Sequence, residues 1–319
     1  MTAMTELVSI VITSRDRKEE LACAVSSAIK QRGNIEVLVM DDGSTDGTYE
    51  MLERCFPQVV RHRTETHLGY IEQRNRAAKL ASGDIIISID DDAEFGEETT
   101  VSKLLMDFDN ASIGAVAMPY VDVHYGSEVK QRAPSEGTMW IISEYRGTAH
   151  AVRRDLFLRL GGYRGYLFRQ GEEGDYCQRM LDAGYVVRLG RTPPILHKES
   201  PKRDRRSIMQ YGARNKVLWA WYNVPSIFLP VHLTATSAVV LTKDSRPGYR
   251  WASLRGLLLG SVAVLHEWSE RQPVRWESYR LFRSLRKTGP LPFSAVEAVV
   301  ARFRASVRVP LAADTNPVA

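Results

Sequence analysis

The chain has 319 residues, 44% hydrophobic and 25% charged, which excludes a disordered or fibrous protein. That length accommodates one large α/β domain with an appendage, or two domains. The net charge of +5 is uneven, with basic residues outnumbering acidic ones from Lys202 onward. Such a balance suits a phosphate-bearing substrate or an anionic membrane surface, and is equally the mark of ordinary solvated surface.

In chain order, LVSIVIT (7–13) is short, apolar and β-branched, the pattern of a buried strand that starts too early to leave a visible signal peptide. Arg17 to Arg32 places Leu21, Ala24, Val25, Ala28 and Ile29 at helical spacing. A second strand (35–42) ends in Asp41 and Asp42, and GSTDGT turns the chain into a helix from Tyr49 to Cys55, with Ser44 or Thr45 expected as its N-cap. VVRHR gives a third strand, Glu72 to Ala81 a helix stopped by Gly83, and DIIISID a fourth strand running into Asp90, Asp91 and Asp92. Beyond Asp109 come strands at IGAVAMPY and MWIIS, a strand and helix in GTAHAVRRDLFLRLGG, a helix from Glu172 to Ala183, a strand at YVVRLG and a basic loop, HKESPKRDRR. Cys23, Cys55 and Cys177 show no metal-type spacing and are expected to be reduced, mostly buried thiols of a cytosolic protein.

Strands alternating with helices imply βαβ units and a mostly parallel, doubly wound sheet, whose ligands bind beyond the carboxyl ends of the strands. Thr13, Ser14 and Asp16, then Asp41 and Asp42, then Asp90 to Asp92, all fall at such ends and should meet in one crevice. Adjacent carboxylates repel, so a hard cation is expected among them, Mg2+ or Mn2+ shared with a diphosphate. The competing reading is helix capping. Neither a GxGxxG fingerprint nor a P-loop is present.

The ordered motifs VSIVITSRDR, VLVMDDGSTDGT, QRNRAAKLASGDIIISIDDD and GEEGDYCQRMLDAGY resemble those of family-two glycosyltransferases, including the rhamnosyltransferase-like group, over about the first 200 residues. The resemblance implies the glycosyltransferase A fold and an inverting transfer from a nucleoside diphosphate sugar, of UDP or dTDP type, to a glycan or lipid-linked acceptor. It places Thr13, Arg15, Asp41 and Asp42 at the nucleotide base, Arg74 and Asn75 beside it, Asp90 at the ribose with Asp91 as neighbour, and Asp92, with Asp90, on the metal. His197 resembles a histidine that in some relatives joins the metal or the diphosphate. Glu172, Glu173 and Asp175 are the candidates for the base, with Glu173 preferred although the family's usual residue there is Asp. Trp140, Gly147, His150 and Tyr163 fall where relatives form the acceptor pocket. QYGARN (210–215) holds a place similar to that of the QxxRW motif of polymer-forming relatives but lacks its tryptophan, which is the basis for expecting a non-processive enzyme, although the pattern itself stands further on at Gln272–Trp276.

The division expected is a catalytic domain at 1–205 and a helix-rich region at 206–319. Between Lys216 and Lys243 no charged residue occurs, yet Asn223, Pro225, Pro230 and His232 make this stretch an interfacial or buried helix rather than a membrane span. Peripheral attachment to the cytoplasmic membrane face, a homo-oligomer contact, or docking onto the catalytic part all fit it. No nucleic-acid partner is expected. Two rival functions are a Mg2+-dependent phosphatase-like hydrolase using Asp90 and Asp92, and a non-catalytic nucleotide-sugar-binding protein.

Overall fold

The computed structural model describes residues 6–199, 204–243 and 247–306. The N-terminal half alternates as the sequence suggests: β1 (Val8–Ser14), α1 (Lys18–Ala28), β2 (Ile35–Asp41), α2 (Thr48–Cys55), β3 (Val60–Arg63), α3 (Tyr70–Leu80), β4 (Ile85–Asp90) and the short β5 (Ala93–Phe95). Then follow α4 (Thr100–Leu105), β6 (Ile113–Ala117), β7 (Tyr120–Asp122), β8 (Val129–Lys130), β9 (Trp140–Ile142), β10 (Ala149–Arg153), α5 (Arg154–Arg159), α6 (Glu172–Asp182), β11 (Val186–Leu189) and β12 (Ile195–His197). The remainder is α7 (Arg205–Asn223), α8 (Leu229–Lys243), α9 (Pro247–His266), α10 (Trp276–Thr288), β13 (Leu291–Pro292) and α11 (Glu297–Ser306).

A nine-stranded sheet runs β13-β9-β11-β6-β10-β4-β1-β2-β3. Strands β4, β1, β2 and β3 are mutually parallel, but β10 runs antiparallel to both β4 and β6, and β9 is antiparallel to β11 and β13. The sheet is therefore mixed, and parallel mainly in its first half. Sequence alternation ends where the parallel half ends, because an antiparallel strand needs no crossover helix. A second sheet, β5-β12-β7-β8, sits beside the end of β4 and carries β12 back toward it.

The unbroken apolar runs of β1 and β4 reflect burial on both faces. Ile10, Ile12, Ile87 and Ile89 enter the core under α1, while Val11 and Ile86 enter a second core on the opposite face. This second core continues through Leu218 and Tyr222 of α7, Phe282 of α10 and Val300 of α11. The boundary expected at 205/206 falls one residue into α7, with hydrophobic packing continuous across it.

Two local expectations change. The N-cap of α2 is not Ser44 or Thr45: Gly47 sits there in a left-handed conformation, and Asp46 accepts from the Thr48 N–H at 3.0 Å. Only Cys177 is buried, with Cys23 and Cys55 exposed. Among the described residues no helix is long and apolar enough to cross a membrane; the uncharged stretch breaks at Pro225 between α7 and α8.

Candidate active site

Strand register creates the site. Thr13 lies opposite Asp90 on one side and Met40 on the other, and Ser14 lies opposite Asp41, so three parallel strands end at one level. The loops beyond them are tied together: Asp16, at a positive φ of 51°, donates its N–H to Ser44 Oγ at 2.9 Å and accepts from the Thr45 N–H at 2.7 Å.

The three aspartates diverge: Asp90 meets Arg74, while Asp91 and Asp92 share Arg17 and Asp92 also faces His197. Asp90 accepts from Arg74 Nη2 at 2.7 Å and from Thr148 Oγ1 at 2.6 Å. Asp91 turns beneath the β1–α1 loop, accepting from Ser14 Oγ at 2.8 Å and Arg17 Nη1 at 2.6 Å. Asp92 accepts from Arg17 Nη1 at 3.0 Å through Oδ2, leaving Oδ1 facing His197 Nε2 at 3.3 Å. His197 Nδ1 is hydrogen-bonded to Asp122, its register partner on β7, which aims Nε2 into the cluster. Ligand atoms of Asp90, Asp92 and His197 lie within 4.8 Å of one another, bringing together the three residues expected at a metal.

The charges set the protonation states. Burial pushes Asp91 up to about 6, with Asp92 adding and Arg17 opposing. Burial would raise Asp92 too, but the hydrogen bond from His197 and the Arg17 charge hold it down to about 2. His197 rises to about 9 against burial, through its hydrogen bonds to Asp92 and Asp122.

Arg74, 5% exposed on α3, joins this cluster to a second one. Its Nη2 also donates to the Gly147 carbonyl at 3.0 Å, and its Nη1 lies 3.8 Å from Glu172 Oε1. The Gly147 N–H in turn donates to Glu173 Oε1 at 3.0 Å. A Cβ at Gly147 would fall 2.7 Å from Glu173 Oε1 and 2.9 Å from Arg74 Nη1, so any side chain there displaces the ends of both.

The three candidates for the base separate clearly. Glu172 is fully buried, neither oxygen has a hydrogen-bond donor, and burial followed by the Glu173 charge pushes it well above the usual carboxylate range. Glu173 is only partly buried, and burial also raises it. Asp175 is no base. It is fully buried and held by Arg164, by Arg179 Nη2 at 2.9 Å and by Asn223 Nδ2 at 2.8 Å, and against burial the Arg179 and Arg164 charges depress it. Its role is to fasten α6 to α7.

Several other expected site residues serve as scaffold. Asp42 accepts from Leu68 N (2.8 Å), Gly69 N (2.9 Å) and Gln73 Nε2 (2.7 Å) and is bonded to His67 Nδ1 (2.6 Å), which leaves it no capacity for a base. Asp41, by contrast, accepts from Ser44 N through Oδ1 while its buried Oδ2 has no hydrogen-bond donor. The Asn75 amide closes a two-way bridge to the Tyr163 backbone at 2.8 and 2.9 Å. His150 and Tyr163 are buried, His150 stacking on Tyr145 at 4.1 Å and facing the Tyr163 hydroxyl at 3.0 Å, so they form the layer beneath the site rather than an acceptor wall. Trp140, on β9, is separated from β4 by β11, β6 and β10. Arg15 is exposed beside Asp16 at 3.4 Å. In the basic loop, Lys198 pairs with Glu94, Arg205 and Arg206 open α7, and Lys202 and Arg203 lie outside the described residues.

The model of glycosyl transferase family 2 matches residues 9–170. The chain belongs to that family. Among similar family-2 and related proteins, an uncharacterized glycosyltransferase of Haemophilus influenzae is 27% identical over 55% of this chain and 62% of its own length. The Escherichia coli UDP-Glc:alpha-D-GlcNAc-diphosphoundecaprenol beta-1,3-glucosyltransferase WfaP is 34% identical over 27% of this chain and 36% of its own. The family-2 chain thus spans less than two thirds of the length of these relatives. Its fold is that of the mannosyltransferase PcManGT from Pyrobaculum calidifontis, solved with GDP-Man and Mn2+, at a TM-score of 0.55 and 18% identity over 93% of this chain and 85% of that one. The glycosyltransferase A architecture expected from the motifs is the one observed.

The family match stops at residue 170, before Glu172, Glu173 and His197. Their place in the site is therefore a finding of geometry. So are the contacts of Asp122 and Thr148, which carried no motif in the sequence, and of Arg17, which closes the motif VSIVITSRDR but was assigned no role there.

Proposed function

We propose that this family-2 chain transfers a sugar, with inversion, from a nucleoside diphosphate sugar to an acceptor hydroxyl. One observation carries the reading: the Asp90–Asp92–His197 cluster is joined through Arg74 and Gly147 to the partly exposed Glu173. Two carboxylates and an oriented imidazole suit a divalent cation, and the imidazole favours Mn2+ over Mg2+. Such an ion, held by Asp90, Asp92 and His197, would supply charge neutralisation for a departing diphosphate.

The chain's own groups account for the rest. Glu173, alone among the three candidates in being partly exposed, takes the proton of the acceptor hydroxyl. The freed oxygen lone pair attacks the anomeric carbon while the bond to the diphosphate oxygen breaks, and the diphosphate leaves with that electron pair. Asp41, whose Oδ2 accepts no hydrogen bond and faces the Arg63 Nε at 3.5 Å, is the carboxylate closest to being available to a base N–H, at the level of Thr13. A UDP or dTDP donor completes the reading. The printed names of WfaP and of the Haloferax volcanii glucosyl-dolichyl phosphate glucuronosyltransferase specify lipid-linked acceptors, which supports a lipid-linked glycan here, at the cytoplasmic face of a membrane.

The test is thermal melting with UDP, dTDP, GDP and CDP, each with Mn2+ and with EDTA. A bound nucleotide at a hundred times its Kd should add about 2.7 kcal/mol. A metal-dependent rise with one nucleotide supports the proposal and names the base; no rise with any of them refutes it. A phosphatase-like role is disfavoured because Asp92, its acid, is held down to about 2 by His197 and Arg17 and so carries no proton to give.

A further inference from the structure

The outer face of the α8–α9 pair is apolar and uncovered. Along α9, Trp251, Arg255, Leu258, Val262 and Leu265 follow one another at steps of four, three, four and three residues, so they form a single stripe. That stripe faces solvent: Trp251 is 71% exposed, Leu258 61%, Val262 54% and Leu265 71%. Val231 and Val239 of α8, and Ile227 just before it, are exposed too, and Leu229 to Thr242 holds no charge. Isolated exposed apolar residues need no explanation, but a stripe running the length of α9 does.

Rotation of α9 cannot hide the stripe. Its opposite face carries Gly256 and Gly260, where an added Cβ would fall 2.2 Å from the Gln210 carbonyl oxygen and 2.8 Å from that of Arg214, both on α7. Backbone-close contact on one side fixes which side chains point out on the other. Trp268 extends the surface past the end of α9, 63% exposed yet anchored with its ring centroid 4.6 Å from that of Trp221.

Charge selects the occupant. From Leu229 to His266 the sequence contains four Lys or Arg (Lys243, Arg246, Arg250 and Arg255) and one acidic residue, Asp244, with Glu267 and Glu270 following beside Trp268. Arg250 and Arg255 flank or lie within the stripe and are exposed. A second copy docked by a two-fold axis would set this basic face against itself, with no acidic residue among the described part of either helix to answer it. An anionic bilayer answers both features: acyl chains take the aliphatic residues, the interfacial zone takes Trp251 and Trp268, and lipid phosphates take the arginines.

We propose that the α8–α9 face is a monotopic docking surface for anionic lipid bilayers, lying in the interface without spanning it. Binding is read without turnover, so it stands or falls separately from the transfer reaction. The experiment is co-sedimentation of the full chain with phosphatidylcholine vesicles, with and without phosphatidylglycerol. The wild-type chain should sediment with the anionic vesicles and remain in solution with the neutral ones. Leu258→Glu should weaken partitioning by more than about tenfold, and Trp251→Ser should weaken it as well. Arg250→Gln and Arg255→Gln should each weaken it about fivefold. All four replace exposed side chains, so melting temperature and nucleotide binding should not move. Absence of anionic-vesicle binding, or Leu258→Glu and Trp251→Ser both binding like wild type, overturns the proposal. A wild-type dimer in light scattering that Leu258→Glu dissociates overturns it in favour of a second copy.

Discussion

Replacing Glu173 by Gln removes a charge while keeping shape. The Gly147 N–H that Glu173 Oε1 accepts at 3.0 Å can be accepted by the glutamine Oε1, so the backbone contact that positions Gly147 and Arg74 survives. Glu173 is partly exposed, so swapping it should change stability by less than about 1 kcal/mol. Its role as base is lost outright, since an amide cannot take the acceptor proton. A positioned base contributes about 10² to 10⁴ in rate, equal to about 3 to 5 kcal/mol of barrier. The assay is steady-state release of nucleoside diphosphate, using the donor that the melting screen identifies. The expected outcome is a kcat lowered by at least about 100-fold with donor KM within about twofold, because the diphosphate end of the site lies at Asp90, Asp92 and His197. Glu172→Gln is the control. Glu172 is buried with no donor to either oxygen and favours its neutral form, which Gln imitates, so activity should persist. A Glu173→Gln variant with kcat within about tenfold of wild type refutes the assignment, and a large loss in Glu172→Gln alone moves the base to that residue.

Asp175→Asn leaves Arg164 and Arg179 in a buried setting without their counter-charge and should cost about 3–5 kcal/mol, read as a lowered melting temperature; a change under about 1 kcal/mol would refute its fastening role. The same residue gives a pH dependence: its carboxyl is held below its unfolded value, so its contribution is fully present above about pH 4 and lost as pH falls through the folded value, and Asp175→Asn should flatten the acid limb of a stability–pH curve. Asp122→Asn, which removes the carboxylate behind His197 Nδ1, should weaken Mn2+ binding about 10- to 100-fold by calorimetry without unfolding the chain; unchanged affinity would exclude His197 as an oriented ligand. Gly147→Ala forces Glu173 and Arg74 apart and should lower kcat about 100-fold, with the melting temperature little changed; wild-type turnover would show the close contact to be idle.

The parallel half of the fold was legible because its signals are local: β-branched apolar runs, helical spacing, and acidic residues where strands stop. The antiparallel half was not, since β9, β10 and β13 owe their places to pairing with distant segments. The same division runs through the site. Asp90, Asp92 and His197 came together as read, while Asp42, Asn75, His150 and Tyr163, all in or near motifs, turned out to hold the site's frame. Motif position identifies a neighbourhood, but whether a polar group is already spent depends on partners far along the chain, as with Asp42 and Leu68 or Asn75 and Tyr163.

Three successive carboxylates at a strand end pose a problem that the chain solves three ways. Asp90 points toward α3 and is balanced by Arg74, while Asp91 points back toward β1 and is shared with Arg17 and Ser14. Asp92 takes the remaining contact of Arg17 and faces His197 from the second sheet. Asp90 ends β4 and Asp91 and Asp92 form the turn that follows it, so the three carboxylates leave the strand end in different directions and the repulsion that a linear reading predicts is met by Arg74, Arg17 and His197 before any ion arrives. Only Asp90 and Asp92 converge on common ground with His197, whereas Asp91 has both oxygens engaged away from it. The middle aspartate is therefore a brace: Asp91→Asn should loosen the β1–α1 loop through Arg17 and Ser14 and lower the melting temperature. It should do so while leaving Mn2+ affinity within about threefold, whereas Asp92→Asn should lower that affinity at least about tenfold. Equal losses of metal affinity in the two variants would show that the cation engages the whole cluster and that the division between brace and ligands is wrong.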